Sequence, residues 1–140
     1  MVDKPKLDQL LFNLRRYRGE LGELGGTPKA EFLADKHRIG SAKYHFVVAI
    51  ECCIDIANHV IASEGLRFPR DNADSFASLI EAGVLPPAMK DPLGAMARFR
   101  NRLVHLYWEV DDALVHECLQ ESLSDMDAFA QAVAAYCQGA

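Results

Sequence analysis

Met89-Lys90-Asp91-Pro92-Leu93-Gly94-Ala95-Met96-Ala97-Arg98-Phe99-Arg100-Asn101-Arg102-Leu103-Val104-His105-Leu106-Tyr107 is the stretch on which the fold turns. It shows no strand-like alternation. On a helical wheel at about 100° per residue, Leu93, Met96, Leu103, Val104 and Tyr107 fall within roughly 60° of their mean direction. The spacing predicts one amphipathic helix, opened by Pro86-Pro87. Arg100 lies inside the apolar stripe. A buried guanidinium without a partner is costly, so Arg100 must meet a carboxylate inside the bundle, a second chain or a bound anion. His105 lies about 140° away, close to Arg98 and Arg102. The two residues act together only if the helix unwinds after Arg100, or if a symmetric dimer brings His105 of one copy to Arg100 of the other.

Outward from this stretch, Gly and Pro punctuate the chain at few places and leave long helical segments between. Leu7, Leu10, Leu11, Leu14, Tyr17, Leu21 and Leu24 recur at helical spacing until Gly25-Gly26 stops them. Thr27-Pro28 reads as an N-cap with Pro at the first helical position, opening a helix with a break at Gly40. Ser41 to Glu64 is apolar on several sides and predicts the central core helix. Asp74 to Ile80 forms a brief capped helix ending at Gly83, and a last helix runs from about Asp111 through Tyr136. The expected fold is all-α: one domain over residues 1–140, a bundle of about four to six helices with short connections.

A site for metal-free RNA cleavage needs a general base to take the proton of the attacking ribose 2′-OH, and histidine titrates in the right range. It also needs a cation to hold the phosphate and the charge developing on it, which the planar fork of arginine supplies. His105 and Arg100 fit those roles, and Asn101 is placed to position the phosphate or the imidazole. Arg100-Asn101 followed by His105, with Tyr107 two residues further, resembles the motif of HEPN domains and, within them, of HepT-like toxins. The longer string from Phe99 to Asp111 is similar to that branch throughout, as is the central run from Ala49 to Ile61. The resemblance implies a homodimeric, metal-independent endoribonuclease toxin with catalytic Arg100, His105 and Asn101 facing one cleft and with RNA, either tRNA or mRNA, as substrate. It further implies a minimal nucleotidyltransferase antitoxin that silences the toxin by transferring AMP to Tyr107. A different class, a non-catalytic HEPN-type dimerising module that binds a nucleotide or a partner protein, stays open beside it.

Glu51, Asp55 and His59 stand four apart and form a polar ladder on the apolar central helix. The expectation is that Glu51 and Asp55 neutralise arginines of the motif helix and orient Arg100, so that Asp55→Asn impairs activity or folding. A metal site would need a Glu-x-x-His pattern that is absent, and no cofactor or metal is expected. The net charge of −5 supplies no global attraction for a polyanion, and no DNA partner is expected. Any RNA contact must come from a local patch. Arg15, Arg16 and Arg18 form one basic cluster and Lys36, His37, Arg38 and Lys43 another; each is a solvated face or an extension of the cleft. Cys52, Cys53, Cys118 and Cys137 lack metal-ligand spacing and read as small core hydrophobes. Met1 to Lys4 leads into no apolar leader, and the run from Phe46 to Ile50 is too short to span a bilayer, so a cytoplasmic protein without a membrane partner is expected.

Overall fold

Asp3 opens the first helix by accepting the Lys6 backbone N–H at 3.2 Å, with Pro5 in the first turn where its missing N–H costs nothing. The computed structural model describes residues 2–139, and among them the regular structure is helical: α1 (Lys4–Gly25), α2 (Lys29–Leu33), α3 (Lys36–Glu64), α4 (Asn72–Glu81), α5 (Lys90–His105), α6 (Asp112–Glu121) and α7 (Leu123–Gly139), with single 3-10 turns at Pro87–Met89 and Tyr107–Glu109. The all-α expectation therefore stands. The α-helices number seven because one predicted boundary is shifted and the last predicted helix is divided.

The shifted boundary falls at Asp35, whose side chain accepts the N–H groups of His37 and Arg38 at 3.0 and 3.2 Å and starts α3. Gly40, expected to break the helix, lies inside it; the cap at Asp35 outcompetes a glycine that merely lowers helix propensity. Thr27 is likewise not the cap of α2: Pro28 takes that position with no side-chain bond, and the Thr27 carbonyl instead accepts from the His116 ring at 3.0 Å. The division, at Ser122, separates α6 from α7. At the far end of α3, Gly65 adopts φ +63°, a left-handed cap that turns the chain sharply away.

α3 is the central element. By length and composition alone it could cross a membrane, a property hidden in the short run Phe46–Ile50, but its apolar sides are covered by α1, α4, α5 and the remaining helices. Phe46, Ala49, Ile50, Cys53, Ile56, Ala57 and Val60 are almost wholly buried along it. Phe46 meets Phe99 of α5 edge-on at 5.3 Å, and Phe76 of α4 meets Phe129 of α7 at 5.5 Å, a favoured aromatic geometry. The core reading of the cysteines agrees with the placement of three of them, whereas Cys118 is half-buried. Cys52, Cys53 and Cys137 are buried and free, and burial pushes the Cys52 thiol up to about 11 and that of Cys53 further still.

Candidate active site

α5 packs against α3 and α4 through Leu93, Gly94, Met96, Ala97 and Leu103, which fixes the direction in which its polar residues point. Arg100 lands beside α3. Its Nη2 donates to Glu51 Oε1 at 2.7 Å, and its Nη1 donates to Asn101 Oδ1 at 3.0 Å. The Arg100 side chain is 19% exposed and its Nε is buried without a partner among the described residues. The guanidinium is thus oriented by a carboxylate and an amide and retains donors without a partner among the described residues, one of them the buried Nε–H.

The helix does not unwind after Arg100. It continues to His105 and ends there, because Leu106 leaves helical geometry at φ −137°, ψ 40° after donating its N–H to the Arg102 carbonyl at 2.8 Å. Arg100 and His105 of one copy therefore stand on different faces of a single unbroken helix, about 140° apart. His105 is exposed. Ending the helix at residue 105 also moves Tyr107 off the apolar stripe: it sits on the following 3-10 turn, 60% exposed, in edge contact with the 67%-exposed Trp108 at 5.4 Å. Val104, likewise placed on the stripe by the wheel, is exposed. The turn is anchored by buried Leu103 before it and buried Val110 after it, and Asp111 caps α6 by accepting the Ala113 N–H at 2.9 Å.

The polar ladder of α3 divides. Glu51 reaches Arg100, whereas Asp55, one turn on, has no arginine partner among the described residues. Its surroundings are Lys6, Leu10, Asn58 and His59, and its carboxyl is raised above the ordinary range by burial and by the Glu51 charge, against the pull of Lys6. The expectation that both carboxylates neutralise arginines thus holds geometrically only for Glu51. The motif helix turns Arg98 and Arg102 away from α3's ladder. Among the described residues no three His, Cys, Asp or Glu side chains come together as a metal cluster.

Three members of the basic clusters are spent on structure, while Arg15, Arg16 and Lys36 form no ion pair among the described residues. Arg18 grips Asp127 of α7 with two bonds of 2.8 and 3.0 Å, Arg38 pairs with Glu31 and Asp35, and Lys43 reaches Asp112 at 3.1 Å. Arg98 and Arg102, which composition alone does not distinguish from these, form no ion pair among the described residues. They border a groove that α3, α5, α6 and α7 build together.

An all-helical bundle of this kind is the fold of solved HEPN toxins. A toxin–antitoxin crystal structure with AMP-PNP matches this fold with a TM-score of 0.85 at 26% identity, over 92% of this chain and 97% of that one. A tri-AMPylated Shewanella oneidensis HEPN toxin in complex with its MNT antitoxin matches equally, with TM-score 0.85, 26% identity and coverage of 92% and 96%. The chain belongs to the HepT-like family: the pattern of the family described as "Ribonuclease HepT-like" matches residues 14–133. The mRNA nuclease HepT of Shewanella oneidensis is 34% identical over 85 residues, which are 61% of this chain. The matched segment spans 64% of that relative's length.

Proposed function

We propose that this chain is a HepT-like toxin, an endoribonuclease that cuts RNA without a metal at a cleft between two copies, Arg100 coming from one and His105 from the other. The observation that carries the reading is the unbroken helix from Lys90 to His105, which holds the two groups on different faces while fixing Arg100 against Glu51 and leaving His105 exposed. His105 accepts the 2′-OH proton as the 2′-oxygen bonds to phosphorus. The P–O5′ bond breaks, and a general acid returns a proton to the leaving 5′-oxygen. Arg100 holds the phosphate with donors beyond those given to Glu51 and Asn101, its position set in advance by those two side chains. Asn101 acts through Arg100 rather than on substrate.

The names of relatives support this reading: an mRNA nuclease, and HEPN toxins solved with an MNT antitoxin, one of them AMP-modified. Tyr107, exposed on a turn two residues from His105, is an accessible acceptor for AMP from a nucleotidyltransferase antitoxin. The added phosphate charge would repel the RNA backbone at the cleft. The Glu51–Arg100 ion pair taken alone also suits a non-catalytic dimerising module, and cleavage assays separate the two. In chelator, the wild-type chain should cut single-stranded RNA, and Arg100→Ala or His105→Ala should each lose at least about 100-fold. Undiminished cleavage in both variants sinks the assignment, and no cleavage by the wild type favours the binding module. Coexpression with the antitoxin should add the mass of AMP to Tyr107 and none to Tyr107→Phe.

A further inference from the structure

The groove beside Arg102 has a volume of about 400 Å³, within the roughly 300–1,000 Å³ typical of small-molecule sites. Its walls are apolar and aromatic, with Phe46, Met96, Phe99 and Leu114 prominent, and its polar groups are few: Arg98 and Arg102 from α5, and Ser122 and Asp125 at the start of α7. None of the three charged side chains forms an ion pair among the described residues, so all three are available to a ligand. Burial raises the Asp125 carboxyl above its ordinary range. The groove also has a definite position. On α5 it opens on the side of Phe99 and Arg102, and Arg102 stands between them on the wheel, about 60° from His105 and about 60° from Phe99. A strand leaving His105 therefore crosses Arg102 before it reaches the groove. Val104, the exposed apolar residue of the last turn, points about 160° from Arg102, so a second copy seated on that face leaves the groove open.

Resting on the ribonuclease reading, we propose that this groove is a base-recognition subsite: it takes a nucleobase next to the scissile bond, with Arg102 on the backbone phosphate and Asp125 accepting N–H donors from the base edge. The charges are complementary to that occupant, since the phosphate meets the cation and the N–H edge meets the carboxylate. The aromatic and thioether walls suit the flat face of a base. Guanine is the preferred base, because its adjacent N1–H and N2–H groups can reach both carboxylate oxygens together, whereas uracil offers a single N–H. Asp125 is thus a specificity residue and does not act on the reacting atoms.

Titration of the full chain with 5′-GMP, 5′-UMP and inorganic phosphate, followed through the methyl resonances of Met96, Ile50 and Leu114, tests this without requiring cleavage. GMP should shift these resonances and bind about tenfold more tightly than UMP, the worth of one charged hydrogen bond. Asp125→Asn, which keeps the side chain's shape, should erase that preference, and Arg102→Ala should weaken both nucleotides alike. Equal affinity for GMP and UMP overturns the proposal, as does a phosphate response matching that of GMP. So do groove resonances that move on dilution and not with nucleotide, which would mean that a second copy fills the groove. A chain that binds GMP in this way but cuts no RNA keeps the subsite and loses the ribonuclease reading. A chain that cuts RNA but shows no GMP preference does the reverse.

Discussion

Arg100 carries the most information of any residue in the chain. A guanidinium on an apolar stripe demands a partner, and Glu51 supplies it at 2.7 Å. Glu51→Gln leaves that cation half-buried and weakly paired. The expected loss is about 1–2 kcal/mol of stability, between the values for exposed and fully buried pairs, measurable by urea denaturation. Activity should fall further than stability alone explains, because the guanidinium loses its orientation; a Glu51→Gln enzyme cutting at the wild-type rate would count against the positioning role. Asp55 behaves otherwise. Burial and Glu51 raise its folded-state value above the unfolded one, so its ionisation opposes folding; the penalty is absent in acid and grows as pH rises through the ordinary carboxylate range. Asp55→Asn should therefore be neutral or stabilising by less than about 1 kcal/mol at neutral pH, with no gain in acid, contrary to the loss expected from the ladder alone. Thermal melts across pH check the sign. Four-residue spacing places Glu51 and Asp55 on one face of α3 but does not say which of them the motif helix crosses.

At the level of elements, caps decide boundaries more strongly than glycines do. Gly40 is exposed within α3, and a Cβ there would meet nothing within 4 Å, so Gly40→Ala should stabilise the protein by about 0.5–1 kcal/mol, read from its melting temperature. A loss would mean that the helix needs its flexibility there. The loop after α3 is tied down differently: Arg67 bridges Asp74 and Glu81 at 2.8 and 2.7 Å, and Arg67, then the Arg70 backbone, hold the Asp74 carboxyl well below the usual range. That stabilisation is present at neutral pH and disappears as pH falls below the ordinary carboxylate value. Arg67→Ala should accordingly lower the melting temperature at pH 7 and lower it less near pH 2. Apolar periodicity made α1, the core of α3 and α5 legible in the sequence, because each buries a stripe. The end of α5 was not legible, since Val104 and Tyr107 continue the stripe numerically while Leu106 leaves helical geometry; the groove was not, since Phe46, Arg102, Leu114 and Asp125 come from four helices.

For the whole molecule, the unbroken α5 keeps Arg100 and His105 of one copy on two different faces. The exposed Val104 face of that helix is apolar and would seat a second copy, leaving Tyr107 on the turn beyond it accessible. Two-fold symmetry would then generate two equivalent sites, each built from Arg100 of one protomer and His105 of the other. The direct measurement is RNA cleavage by an equimolar mixture of Arg100→Ala and His105→Ala chains, unfolded and refolded together. Neither variant should cut alone. Half of the randomly paired dimers would be mixed, each with one intact site, so the mixture should recover about a quarter of wild-type activity. A mixture as inactive as its two components, while both variants fold and dimerise, would contradict a site shared between copies.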